Sequence, residues 1–251
     1  MGGKRNLARL LVARIEKIPH DCYAEPFIGM GGVFFRRREK PRAEAINDLN
    51  GDVHNLFRIV QRHVDALLEE LRWMLASREL FDLVRHQNPA TLTDVERAAR
   101  FFVWQSLGFG GRPGSGSFAA APVQAKVFNP AIVMKRLRQA HRRLVGVTIE
   151  RLPYDEFVRR YDRPRTLFYL DPPYWGAERL YGQGLFQRDD FERLAELLGG
   201  LQGRFLLTLG DRLEIRRLFR RFRIEAVRHT YRTRGAAVPA RELIITGGGR
   251  R

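Results

Sequence analysis

The sequence predicts a mixed α/β fold, one open sheet domain interrupted by a helical insertion. Three observations carry this. Short apolar runs, 166–170 and 205–209 foremost, have the length and composition of buried strands. Segments of helical apolar spacing separate such runs. Between about residues 53 and 145 the strand pattern disappears and helical periodicity alone remains.

Leu7, Leu10, Leu11, Ile15 and Ile18 recur at helical spacing, which predicts an amphipathic helix over 5–18, ended by Pro19. Cys22-Tyr23-Ala24-Glu25-Pro26-Phe27 reads as a strand and runs into the turn Ile28-Gly29-Met30-Gly31-Gly32. The apolar segment from Val33 is expected to be a helix, and 42–47 a second strand that ends at Asp48. Strand, glycine turn, helix, strand and terminal acid form the pattern of a nucleotide-cradling β-α-β unit. Residues 53–83 are helical in period, with Val53, Leu56, Phe57, Val60, Val64, Leu67, Leu68 and Leu71 on one side. Residues 92–107 follow as another helix. The segment from Leu107 to Phe118 is rich in glycine and reads as a loop. Helix resumes near Pro130 and runs to about Leu144. Strands return at 147–150, 166–170, 205–209, 224–231 and 243–246, with helices over 191–200 and 212–222. The expected division is a sheet domain of residues 1–52 and 146–251 around an insertion of 53–145.

Forty-five Lys and Arg against 28 Asp and Glu leave a net charge of +17 across 251 residues. Such a surface attracts a polyanion, and nucleic acid is the expected partner. A solvated arginine-rich surface is the blander alternative. The 44% apolar content supports a real core, yet no run approaches the roughly 20 apolar residues that span a bilayer. No secretory leader is evident, and Gly2 lacks the Ser or Thr at position 6 that myristoylation would need. The single cysteine, Cys22, excludes an internal disulfide and a Cys-rich metal site, and the six histidines show no ligand spacing. A cytoplasmic protein with no resident metal and no membrane association is expected.

The chemistry concentrates in Asp171-Pro172-Pro173-Tyr174, which follows the strand Thr166-Leu167-Phe168-Tyr169-Leu170. A strand ending this way places a carboxylate at the carboxyl edge of the sheet, where open α/β sheets bind ligands. Two prolines fix φ and hold the turn's carbonyls in set directions. Tyr174 adds a flat apolar face. Together they suit a planar group bearing an amino substituent, such as a nucleobase. A surface turn acid is the alternative. The glycine turn lets the backbone approach a ligand closely, but it lacks the spacing of a phosphate loop or a dinucleotide fingerprint. Asp48 suits a pair of ribose hydroxyls, or else caps the following helix. Lys4 could meet a carboxylate or phosphate. Arg112 in the glycine-rich loop, and Lys126 after it, could close on a nucleic acid. The cluster Arg36-Arg37-Arg38-Glu39-Lys40 reads as a solvated turn or a further contact.

Taken in order, Gly2-Gly3-Lys4, Glu25-Pro26-Phe27-Ile28-Gly29-Met30-Gly31, Ile46-Asn47-Asp48-Leu49-Asn50 and Asp171-Pro172-Pro173-Tyr174 resemble the Dam-like class of adenine-specific DNA methyltransferases. The resemblance spans nearly the whole chain, and Arg241-Glu242-Leu243-Ile244-Ile245 looks like the family's final strand. It implies a Rossmann-like methyltransferase sheet with 53–145 as a mostly helical target-recognition domain. It implies S-adenosylmethionine as methyl donor and double-stranded DNA as partner. Carried over by motif, Lys4, Asp48 and Asp171 contact the cofactor, and Pro26, Phe27, Gly29 and Gly31 shape its pocket. Asp171 and the Pro172 carbonyl would accept the two N–H bonds of the target amine, and Tyr174 would stack on the flipped base. The family usually carries an aromatic residue ahead of Gly-Gly-Lys, where this chain has Met1 alone. The 107–127 loop lacks the Arg/Asn/Lys-rich hairpin of GATC readers, which points to a phage- or prophage-type relative. Methylation of cytosine's amino group or of RNA, and a non-catalytic DNA-binding relative, are the alternatives.

Overall fold

In the computed structural model, which describes residues 5–108, 129–176, 184–233 and 236–249, the chain divides into two compact units, Met1–Leu49 with Glu150–Arg251, and Asn50–Ile149. Lys4, Arg112 and Lys126 lie outside the described residues.

A seven-stranded sheet organises the first unit, and its edge strand β3 carries the division between Ile149 and Glu150. Its strands are β1 (Cys22–Glu25), β2 (Ala43–Asn47), β3 (Thr148–Glu150), β4 (Thr166–Leu170), β5 (Arg204–Gly210), β6 (Arg223–Thr233) and β7 (Ala236–Gly248). They lie in the order β3-β2-β1-β4-β5-β7-β6. β1 pairs parallel with β2 and β4, and β4 with β5, whereas β7 runs antiparallel to both β5 and β6. The chain therefore steps outward from β1 to β2 and β3, then returns to lay β4 on the other side of β1. That reversal opens a crevice at the carboxyl ends of β1 and β4, the place where open α/β sheets bind ligands. The Rossmann-like sheet expected from the sequence is present.

The two faces of this sheet differ in chemistry. Ala24, Phe168, Leu170, Phe205, Leu207, Leu209, Leu243 and Ile245 point to one face, as the parallel and antiparallel registers require. There they form a dry core with Phe157 and Val158 of α7 (Tyr154–Tyr161), Phe191, Leu194 and Leu198 of α8 (Asp190–Gly199), and Ile215 of α9 (Leu213–Leu218). The opposite face carries a buried polar row: Glu44 on β2, Tyr23 and Glu25 on β1, Tyr169 on β4, Thr208 on β5 and Glu242 on β7. Helix α1 (Arg5–Ile15) belongs to this side, because Arg14 forms a two-pronged ion pair with Glu225 of β6, at 2.6 and 2.9 Å.

Two expectations change in this unit. The segment after the glycine turn is a single 3-10 turn, Phe34–Arg36, and not a full helix. Its apolar residues are Val33, Phe34 and Phe35 alone, followed by five charged residues before Pro41, too few to bury a helical stripe. The α7 helix was not anticipated, since its eight residues bury only Phe157 and Val158.

The second unit is helical: α2 (Gly51–Arg62), α3 (Val64–Arg72), α4 (Arg78–His86), α5 (Asp94–Leu107) and α6 (Pro130–Leu144). Asn50 caps α2, its Oδ1 accepting from the Asp52 and Val53 amides. The single helical period expected over 53–83 is broken into three pieces. His63 leaves helical geometry at φ −133°, and the chain unwinds again until Ser77 caps α4. Neither break carries a proline or glycine, so neither shows in the sequence pattern. Thr93 and Glu96 form a reciprocal capping box at the start of α5, and Asn129 caps α6 with Pro130 in its first turn.

Candidate active site

Three neighbouring strand ends supply the residues singled out by motif. β1 ends at Glu25, two residues short of the expected strand, because the chain bends at buried Pro26; the Ile28 amide then donates to the Asn47 carbonyl at 2.9 Å. It then turns through Gly29 (φ +49°) and Gly31 (φ +67°), both in the left-handed region that favours glycine. A Cβ at Gly29 would meet no atom within 4 Å, so the backbone there borders open space. The Gly29 amide donates to Asp48 Oδ2 at 2.9 Å. Asp48 is thereby aimed at the glycine turn, and helix capping falls to Asn50.

Asn47 fixes this corner. Its side-chain amide donates to the Pro26 and Leu152 carbonyls, both at 3.0 Å, and its Oδ1 accepts from the Leu152 amide at 2.8 Å. Although Asn47 stands inside a motif, its role needs Leu152, some hundred residues away, and was not legible. Phe27 packs against Tyr154 and Phe186 at ring-centroid distances of 5.5 and 5.8 Å, giving the turn an aromatic flank. Among the described residues no His, Cys, Asp and Glu group is placed to hold a metal ion.

Asp171 stands half-buried at the end of β4, followed by buried Pro172 and Pro173. Its Oδ1 accepts from the Thr208 hydroxyl at 2.9 Å. The Tyr174 ring lies beside Gly210 at the end of β5, where an added Cβ would stand 3.5 Å from the ring. Trp175 packs on Phe191 and lies under the Arg188 guanidinium. β2 and β4 flank β1, so Asp48 and Asp171 are separated by two strand spacings, about 10 Å.

Between these two acids lies Glu25, wholly buried, its Oε2 accepting from the Tyr23 hydroxyl at 2.9 Å. Burial pushes its carboxyl up to about 8, and the nearby charge of Asp171 works in the same direction against the Tyr23 bond and Arg37. Glu25 is thus mostly protonated at neutral pH. A carboxyl raised in the fold lends stability that is present below its ordinary value and lost as pH rises through the folded value. Wild-type stability should therefore fall between pH 6 and 9 by about 2–3 kcal/mol more than that of Glu25→Gln. Urea midpoints at the two pH values measure this, and parallel losses in both proteins would contradict it.

A family model described as D12 class N6 adenine-specific DNA methyltransferase matches residues 1–233. The type II methyltransferase M1.LlaDCHI of Lactococcus lactis subsp. cremoris is 27% identical over 271 residues, covering 99% of this chain and 93% of its own. The type II methyltransferase M.CviBI of Paramecium bursaria Chlorella virus NC1A is 23% identical over 208 residues, covering 80% of this chain and 78% of its own. A SAM-dependent O-methyltransferase structure from Thermotoga maritima covers 98% of this chain and 66% of its own at 11% identity, with a TM-score of 0.42.

Proposed function

Because the chain belongs to the D12 class of N6 adenine-specific DNA methyltransferases, we propose that it methylates a flipped adenine in double-stranded DNA. S-adenosylmethionine is the methyl donor in this reading, and the site of action is the cytoplasm. The observation that carries it is the convergence of the Asp171 turn, the glycine turn and Asp48 on the ends of β4, β1 and β2. No helix among the described residues is long and apolar enough to cross a membrane.

The donor set fits the cofactor. Asp48 offers a carboxylate for two ribose hydroxyls, and the open backbone at Gly29 admits close approach. When bound, the cofactor supplies a methyl group already activated as a sulfonium. Asp171 and the Pro172 carbonyl accept the two amino hydrogens of adenine. This draws the nitrogen toward a tetrahedral form and frees its lone pair from the ring. Tyr174 stacks on the extruded base, a contact worth about 1–3 kcal/mol. Alignment of the amine with the methyl group can contribute several kcal/mol to the rate. Proton loss can follow transfer, so no strong base and no metal are required by this route.

The second unit is the target-recognition part in this reading. Helix α6 supports it: Lys135, Arg136, Arg138 and Arg142 are exposed, and the helix carries no acidic residue. Arg138 is partly committed to Asp65 at 3.3 Å. Lys135→Ala and Arg142→Ala should each flatten the salt dependence of DNA affinity by about one ion. Unchanged slopes in a fluorescence-anisotropy titration would remove α6 from the interface.

The deciding test incubates methylation-free genomic DNA with the protein and S-adenosylmethionine and maps modified bases by single-molecule sequencing. N6-methyladenine at one recurrent sequence supports the reading. Modified cytosine, or no modification, overturns it. The type II relatives make a restriction–modification role the first to examine once that sequence is known.

A further inference from the structure

After Arg204, strand β5 is apolar except at one position. In Arg204–Gly210 the run Phe-Leu-Leu-Thr-Leu places a single hydroxyl, Thr208, at full burial. A buried hydroxyl without a partner is unfavourable, so its hydrogen bonds indicate what it does. Oγ1 lies 2.9 Å from Asp171 Oδ1, 3.2 Å from the Tyr169 hydroxyl and 3.4 Å from the Leu170 carbonyl. Thr208 has one hydrogen to give. The carboxylate is both the nearer and the stronger acceptor, so that hydrogen goes to Asp171. The Tyr169 phenol, also fully buried, then donates to Thr208. The result is a directional chain from Tyr169 through Thr208 to Asp171.

Register explains why this chain exists. The last β4–β5 pair is Leu170 with Leu207, so Asp171 and Thr208 are the next residues along their strands. Tyr169 and Asp171 are two apart and share a face of the sheet. Asp171 has left the strand, and the terminal torsion of an aspartate is soft. A bond to one of its oxygens fixes the plane of the carboxylate, and Thr208 provides such a bond.

We propose that Thr208 is a positioning residue for methyl transfer: its hydroxyl, supported by Tyr169, sets the orientation in which Asp171 meets the target amine. This inference rests on the assignment of Asp171 to the amine. A misplacement of about 1 Å in a reacting group can lower a rate on the order of 100-fold. Thr208→Val keeps the shape of the side chain and removes the hydroxyl. Thr208→Ser restores the hydroxyl and removes only the methyl group.

The experiment measures transfer of a labelled methyl group from S-adenosylmethionine to unmethylated genomic DNA, with far-UV circular dichroism as the check on folding. For Thr208→Val, kcat should fall about 10- to 100-fold while KM for the cofactor stays within about twofold of wild type. Thr208→Ser should recover most of the wild-type kcat. A merely structural threonine would lower folded yield without this split and without rescue by serine. Should Thr208→Val not fold, Thr208→Ala, which cannot overfill the site, takes its place. Wild-type kcat in a folded Val or Ala variant overturns the inference, as does a serine variant no better than valine. A wild-type chain that methylates no DNA would instead overturn the reading on which it rests, and the two failures are thereby distinct.

Discussion

Asp171→Ala is expected to lower the rate of methyl transfer to DNA on the order of 1,000-fold or more while leaving the chain folded. The carboxylate lies half-buried at the end of β4, where it accepts from the Thr208 hydroxyl. Its removal leaves that buried hydroxyl to the Tyr169 phenol and the more distant Leu170 carbonyl, at about 1–3 kcal/mol. The fold should tolerate this, because the strands on either side are packed by a continuous apolar core. In the proposed mechanism the amine, by contrast, loses one of the two acceptors that shape its lone pair, and the Pro172 carbonyl alone does not replace it. Asp171→Asn is the sharper variant. It keeps the side chain's shape and lets one oxygen accept from Thr208, but it turns an amide NH2 toward the substrate amine. Turnover near wild type in either variant would remove Asp171 from the chemistry. Asp48→Ala supplies the contrast, since it removes the acceptor of the Gly29 amide at the other end of the crevice. Calorimetry should show S-adenosylmethionine affinity falling about tenfold or more, with DNA affinity little changed.

Much of this arrangement is legible in the sequence, for a physical reason. Central parallel strands are buried on both faces and appear as unbroken apolar runs. Thr166–Leu170 was therefore legible to its ends, and β5 to within a residue. The placement of Asp48 and Asp171 just past the ends of β2 and β4 was legible because chain direction alone puts residues that follow such strands at the carboxyl edge of the sheet. What stayed hidden depends on partners distant in sequence. Asn47 acts through Leu152, Thr208 through Asp171, and Glu25 is a buried acid only because the sheet closes around it. A lone threonine in an apolar strand was the visible sign of one of these. The breaks at His63 and before Ser77 left no sign, because apolar spacing continues across them.

The cluster Arg36-Arg37-Arg38 shows how far composition alone can mislead, and it carries the largest expected effect on stability. Its middle residue is neither a solvated charge nor a phosphate contact. Arg37 is 4% exposed, donates to Glu44 at 2.7 Å, and holds its guanidinium 3.6 Å from the centre of the Tyr23 ring. Both partners of the ion pair are buried against β1 and β2, next to the strand end that leads into the glycine turn. A buried pair adds little net stability, because the attraction largely offsets the loss of hydration. Removal of one member is another matter, since the other buried charge then loses the partner that offsets its lost hydration. Arg37→Met should destabilise the chain by about 3–5 kcal/mol, read from urea unfolding. The double variant Arg37→Met, Glu44→Leu removes both charges and should recover most of that loss. Arg36→Met, on an exposed neighbour, should change stability by less than about 1 kcal/mol. If the double variant is as unstable as the single one, the loss comes from the packing of Arg37 on Tyr23 and not from the stranded carboxylate. That outcome would refute the electrostatic account and leave the aromatic contact as what holds this corner of the sheet.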